Sequence, residues 1–105
     1  MTEDFEFDIV VIEPDTKLRT RLVSQLGDGT VAGVFADTAE LSEFLSSGRL
    51  AVTVFGSGLA NLAGLADIER VTRTHPEVAA VLIVDELSTN LLQQALRAGV
   101  RDVVP

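Results

Sequence analysis

Apolar residues fall along this chain in two alternating arrangements. Ile9-Val10-Val11-Ile12, Val52-Thr53-Val54-Phe55 and Val78-Ala79-Ala80-Val81-Leu82-Ile83-Val84 are continuous, short and mostly β-branched, the pattern of strands covered on both faces of a parallel sheet. Val31 to Phe35 is weaker, interrupted by Ala32 and Gly33, and predicts an edge strand. Asp102 to Val104 predicts a last, short strand.

Between these runs the apolar spacing turns helical. Leu18, Leu22, Val23 and Leu26 share one face, with Lys17, Arg19, Arg21 and Gln25 elsewhere and Gly27 as the stop. Asp37-Thr38-Ala39-Glu40 has the form of a cap followed by an acid three residues on. It opens a second helix with Leu41, Phe44 and Leu45 inward, closed by Gly48. A third helix is expected from Asn61 to about Arg73, with Leu62, Leu65, Ile68 and Val71 on its apolar face. Pro76 stops it, and that proline biases His75 to extended geometry. Ser88 caps a fourth helix in which Leu91, Leu92, Ala95 and Leu96 are apolar, Gln93, Gln94 and Arg97 face out, and Gly99 ends the run.

The order is therefore βαβαβαβαβ with short turns. That alternation implies a parallel sheet with right-handed crossovers and helices on both faces, an α/β doubly wound domain. No linker, low-complexity stretch or internal repeat divides the 105 residues, so residues 1–105 are read as one domain.

Composition narrows the classes. Sixteen acids against eight Lys and Arg give a net charge of −8, which opposes nucleic acid as a direct ligand, because phosphate neutralisation needs clustered bases. The absence of cysteine removes disulfides, thiolate metal sites and a Cys nucleophile, and fits a reducing cytoplasm. Mean hydropathy is high at +0.33, yet no apolar run approaches the ~20 residues of a membrane span. The start, MTEDFEFD, has four acids and no base, unlike a signal peptide. These acids are read as a charged leader that favours solubility. Two readings of Phe5 and Phe7 stand side by side: packing on the sheet edge, or contact with a partner.

In an open parallel sheet, ligands bind outside the carboxyl ends of the strands. The residues to question are thus Glu13-Pro14-Asp15, Gly56-Ser57-Gly58 and Val84-Asp85-Glu86. A hydrophobic strand ending in acids and running into Lys-Leu-Arg, followed much later by Ala-Leu-Arg-Ala-Gly-Val-Arg-Asp-Val before the end, resembles a response-regulator receiver domain. The resemblance spans the chain in element order and is most specific from Ala95 to Val104. It implies a flavodoxin-like (CheY-like) five-stranded sheet of order 2-1-3-4-5, here lacking the final helix. It also implies a phosphoryl-accepting Asp after the third strand, Mg²⁺ held by acids after the first, a Ser or Thr after the fourth and a Lys after the fifth.

The register can be set internally. Gly64-Leu65 matches the Gly-Leu that follows the receiver acceptor by eight residues, which places Gly56 at the acceptor position. Fifteen residues before Gly99 lies Val84, at the hydroxyl position. The acid pair aligns with Glu13-Pro14, the usual aromatic of the last strand becomes Val103, and the Lys falls beyond Pro105. Glycine has no carboxylate to phosphorylate and valine no hydroxyl. Glu13, Pro14, Gly56, Val84 and Val103 are therefore read as a degenerate phosphoryl pocket, with no catalytic residue, no metal and no cofactor expected.

Rival chemistries fit less well. Gly56-Ser57-Gly58 could cradle a phosphate, but a dinucleotide fingerprint needs glycine at position 61, which is Asn61; a tight turn is expected instead. Ser57 as a nucleophile needs a base, and the sole histidine, His75, belongs at the opposite end of the sheet, where it is read as a solvated loop residue. Glu13, Asp15, Asp85 and Glu86 could gather round a hard cation, but the centre of such a site, Gly56, carries no acid; solvated carboxylates are expected.

The missing last helix would uncover apolar side chains around Val10, Leu82 and Val103, so cover from a longer polypeptide or a second copy is expected. Leu91, Leu92, Ala95 and Val103 form the candidate interface, and a homodimer is expected. The terminal run Ala-Leu-Arg-Ala-Gly-Val-Arg-Asp-Val-Val-Pro also resembles the receiver-like module preceding the ATPase of CpaE/TadZ-type pilus assembly proteins. That resemblance implies a non-enzymatic interaction module, joined downstream to a MinD/ParA-like ATPase, cytoplasmic without membrane insertion and recruited to the pole or to the inner-membrane Flp pilus machinery. The alternative is the input domain of an atypical, phosphorylation-independent response regulator with a DNA-binding output.

Overall fold

Each helix of this protein starts where a short polar side chain can satisfy amides that the helix itself leaves free. In a computed structural model, which describes residues 8–27, 31–46 and 51–105, Asp15 accepts from the amides of Lys17 and Leu18, Asp37 from Glu40, Asn61 from Gly64 and Ser88 from Leu91. The helices they open are α1 (Thr16–Leu26), α2 (Thr38–Leu45), α3 (Leu62–Thr74) and α4 (Thr89–Arg97). They alternate with strands β1 (Asp8–Ile12), β2 (Val31–Phe35), β3 (Ala51–Phe55), β4 (Ala79–Ile83) and β5 (Asp102–Val104), and a 3₁₀ turn over Ser57–Leu59 joins β3 to α3. Glu3, Asp4, Phe5, Glu6, Phe7 and Gly48 lie outside the described residues.

The strands form one parallel sheet of order β2-β1-β3-β4-β5, as expected. β2 is an edge strand, and Ala32 is an extra residue in its pairing, since Ile9 faces Val31 while Val10 faces Gly33. Among the described residues no α-helix follows β5. At the far end of α4, Gly99 adopts φ +95°, and a Cβ there would lie 2.8 Å from that of Thr72. The Thr72 hydroxyl donates to the Ala98 carbonyl at 2.7 Å, fastening α3 to this turn.

Strand side chains alternate between the two faces. The in-register row Ile12, Phe55, Leu82 and Val103 faces α2, α3 and α4, and packs with Leu41, Leu45, Leu65, Ile68, Val71 and Ala95 in the main core. The other face carries Val11 and Val54, buried beneath Leu22 of α1. Val81 and Ile83, further along that face, are only half-buried, and Val104 is exposed. This corrects the expectation that Val10, Leu82 and Val103 would be uncovered: they are 0%, 0% and 9% exposed. The side-chain parity runs one residue the other way, so the thinly covered residues are Val81, Ile83 and Val104.

Three further expectations are corrected. Leu62 is 76% exposed rather than inward. Residues three apart fall about 60° short of a full turn, so the Leu62, Leu65, Ile68, Val71 stripe drifts round the helix, and burial centres on its last three members. Leu59 of the 3₁₀ turn is the buried residue just before α3. Leu96 is 52% exposed because it sits a residue beyond Ala95, off the arc of Leu91, Leu92, Ala95 and Ala98 that meets the core. His75, at the amino end of the sheet, is buried rather than solvated. Its amide donates to Val71 and its carbonyl accepts from Val78, and this tight turn tucks the imidazole in. The ring Nδ1 lies 3.7 Å from a Glu77 carboxylate oxygen.

The drift of the α3 stripe is testable by truncation. Leu65→Ala is expected to cost about 2–4 kcal/mol of stability, and Leu62→Ala to stay within about 0.5 kcal/mol of the parent, in urea denaturation followed by circular dichroism.

Candidate functional site at the carboxyl rim

The ladder of the sheet continues one residue past the ends of the central strands. The Gly56 amide donates to the Ile12 carbonyl at 2.9 Å, and the Glu13 amide to the Phe35 carbonyl at 3.0 Å. Glu13 and Gly56 are thereby set side by side at the carboxyl edge. Across β4, the Val84 amide is held by the Val104 carbonyl at 2.9 Å. A cavity of about 270 Å³ opens there, lined by Glu13, Gly56, Ser57, Val84 and Asp85, with Leu18, Arg21, Leu22 and Gln25 of α1 as its side wall.

Glu13 determines what this rim can do. Its side chain turns inward and is fully buried. One carboxylate oxygen accepts the Gly58 amide at 2.9 Å, and the other accepts the Asp15 amide at 2.9 Å. A buried carboxylate is tolerated only when hydrogen bonds replace its lost water, and here both oxygens are served by backbone. The space it needs comes from the two glycines opposite. A Cβ at Gly56 would overlap Glu13 Oε1 and lie 2.9 Å from Cδ, and one at Gly58 would overlap Oε2 and lie 3.0 Å from Cδ. Outside, the Arg19 guanidinium donates to the Glu13 carbonyl at 2.8 Å.

The remaining rim acids are engaged or dispersed. Asp15 is the cap of α1, accepting from Lys17 and Leu18 at 2.9 and 3.0 Å, while Asp85 and Glu86 are exposed. Among the described residues no three His, Cys, Asp or Glu side chains group as metal ligands. Ser57 lines the cavity, but His75 precedes β4 at the other end of the sheet. The structure does not bring His75 to Ser57.

Comparison with protein-family models and with curated proteins finds no match. Among solved structures, a pilus assembly-related protein of Burkholderia pseudomallei superposes with a TM-score of 0.75 at 25% identity, over 96% of this chain and 81% of that one. The pilus assembly protein CpaE of Burkholderia thailandensis does so with a TM-score of 0.75 at 27% identity, over 93% and 84%. A signal receiver domain of an HD-domain protein from Pseudomonas fluorescens shares the fold, with a TM-score of 0.75 at 16% identity, over 98% and 77%. The chain is a receiver-like domain resembling that of CpaE.

Within this receiver-like domain, Glu13, Gly56 and Val84 meet at one cavity, as their places at strand ends imply. Pro14 is exposed and does not line it. Val103 lies deeper, paired with Leu82 in the core. Of the candidate interface residues, Leu91 and Leu92 are half-buried against the core, whereas Ala95 is 0% exposed and Val103 9%. Those two side chains are interior, a correction to the expected contact surface; the exposed leucines nearby are Leu62, Leu87 and Leu96. Gly58 was missed as a functional residue. The signal was present in the Gly-Ser-Gly run opposite an acid-terminated strand, two glycines where one suffices for a turn.

A capping role for Asp15 separates it from metal binding. Asp15→Asn, which keeps a capping oxygen, is expected to hold stability within about 0.5 kcal/mol, and Asp15→Ala to lose about 1 kcal/mol, measured by chemical denaturation without added metal.

Proposed function

We propose that this receiver-like domain is a non-catalytic, non-phosphorylatable interaction module that positions or dimerises a CpaE/TadZ-type, MinD/ParA-like ATPase in Flp pilus assembly. The observation that carries the reading is the rim itself. Directly after β3, where a receiver needs its aspartate, stands Gly56, with the buried Glu13 carboxylate against it. Val84 supplies no hydroxyl after β4. The 25% and 27% identities to pilus assembly proteins, against 16% to the Pseudomonas receiver, favour the pilus context over signalling.

The sheet face under α1 supports a place in a larger assembly. Val81 and Ile83 are half-buried and Val104 exposed, so this face gains by being covered. In this reading residues 1–105 are the amino-terminal domain of a longer polypeptide, and the cover is its following segment or a second copy. Partner contacts are protein contacts, since a net charge of −8 repels nucleic acid. The module acts in the cytoplasm, recruited to the pilus machinery; among the described residues no helix is long and apolar enough to cross a membrane. A Walker-type lysine loop after residue 105 in the intact polypeptide fits this role, whereas a helix-turn-helix pattern there would favour a DNA-binding regulator.

Two measurements test the proposal. Beryllofluoride or acetyl phosphate with Mg²⁺ is expected to leave the amide spectrum of the domain unchanged, and saturable shifts around Glu13 and Gly56 would overturn it. Light-scattering chromatography of residues 1–105 is expected to show a mass that rises with concentration toward a dimer; a sharp monomer throughout would remove the second-copy cover.

A further inference from the structure

We infer that Glu13 is the built-in ligand of the β3–α3 turn, an intramolecular clasp that closes the rim, and that Gly56 and Gly58 are glycines to admit it. The role stands apart from the interaction function proposed above, because it concerns how the domain holds its own rim. It would survive the loss of the pilus reading.

Three independent features converge on this clasp. The first is occupancy: the Glu13 side chain is fully buried although it ends in a carboxylate, and both oxygens meet backbone amides, Gly58 across the sheet and Asp15 on its own strand end. The second is room: side chains at positions 56 and 58 would both run into that carboxylate, and neither glycine has a positive φ that would require glycine on backbone grounds. The third is continuity. The turn that Glu13 grips leads through Ser57–Leu59 to Asn61, whose side-chain amide donates to the Gly58 carbonyl at 3.0 Å and whose oxygen caps α3 through Gly64 at 2.8 Å. Asp15, gripped by the other oxygen, caps α1. One carboxylate thus ties the amino ends of two helices to the central strands. A rim held this way needs no bound ion or phosphoryl group to order it, and a carboxylate introduced at position 56 would compete with Glu13 for the same space.

A double-mutant cycle decides the matter, because additivity fails only where two groups share one site. Gly58→Ala in the parent is expected to lower the Tm by roughly 5 °C or more, as overpacking against the carboxylate demands. In the Glu13→Ala background the same change is expected to leave the Tm unchanged or raise it, since the three atoms nearest the new Cβ all belong to the removed side chain and the backbone conformation accepts alanine. Equal loss in both backgrounds would overturn the clasp. Should Glu13→Ala fail to fold, Glu13→Gln offers a second measure. Its amide presents one accepting oxygen in place of two, so hydrogen exchange at either Gly58 or Asp15 is expected to quicken by at least about tenfold. Unchanged protection at both amides would refute the inference.

Discussion

A parallel sheet assigns each strand residue to one of two faces, and in this domain a single in-register row settles the assignment. Ile12, Phe55, Leu82 and Val103 lie across four strands, and all point toward α2, α3 and α4. A slip of one residue would transfer every one of them to the other face. Once this row is placed, Val11, Val54, Val81 and Ile83 must lie on the α1 face, and the residues just past the strand ends must form the rim. Glu13 follows Ile12, so its side chain starts from the α1 face at the edge of the sheet. It is from there that the carboxylate folds back against Gly56 and Gly58.

The rim shows how a buried carboxylate is held by backbone alone. Burying an acid costs free energy unless each oxygen finds a donor. The two amides that serve Glu13 belong to a turn and to a strand end that would otherwise be joined only through the sheet. Hydrogen bonds to a charged group contribute about 1.5–3 kcal/mol each where well made. The inward carboxylate and the bare positions 56 and 58 are thus coupled, since a side chain at either would overlap Glu13.

Much of the fold was legible in the sequence. Continuous β-branched runs marked the buried strands, and Asp37, Asn61 and Ser88 marked helix starts, because these signals are local and each has a direct physical cause. The strand order came from resemblance, and the sheet bears it out. What was not legible depended on neighbours. In a run such as Val78 to Val84 both parities are apolar, so the pattern could not say which face Leu82 takes. The three-residue spacing of Leu62 and Leu65 suggested a shared face, but only the packing of Leu65, Ile68 and Val71 shows where that face is centred. His75 read as a loop residue because its burial comes from a turn closed by Val78. Glu13 reads from the sequence as a solvated rim carboxylate, because its inward turn depends on amides 2 and 45 residues away along the chain.

The acidity of the chain acquires a different meaning from this arrangement. At a receiver rim, carboxylates gather to bind a cation and so remain available to ligands. Here Glu13 holds the turn and Asp15 caps α1, while Asp85 and Glu86 face solvent and, among the described residues, no third ligand joins them. Among the described residues, the large apolar side chains that reach solvent are Leu62, Leu87 and Leu96 around α3 and α4, Val34 on β2 and Val104 on β5. Covering these groups releases free energy in proportion to apolar area, whereas exposed charges contribute mainly orientation and rate.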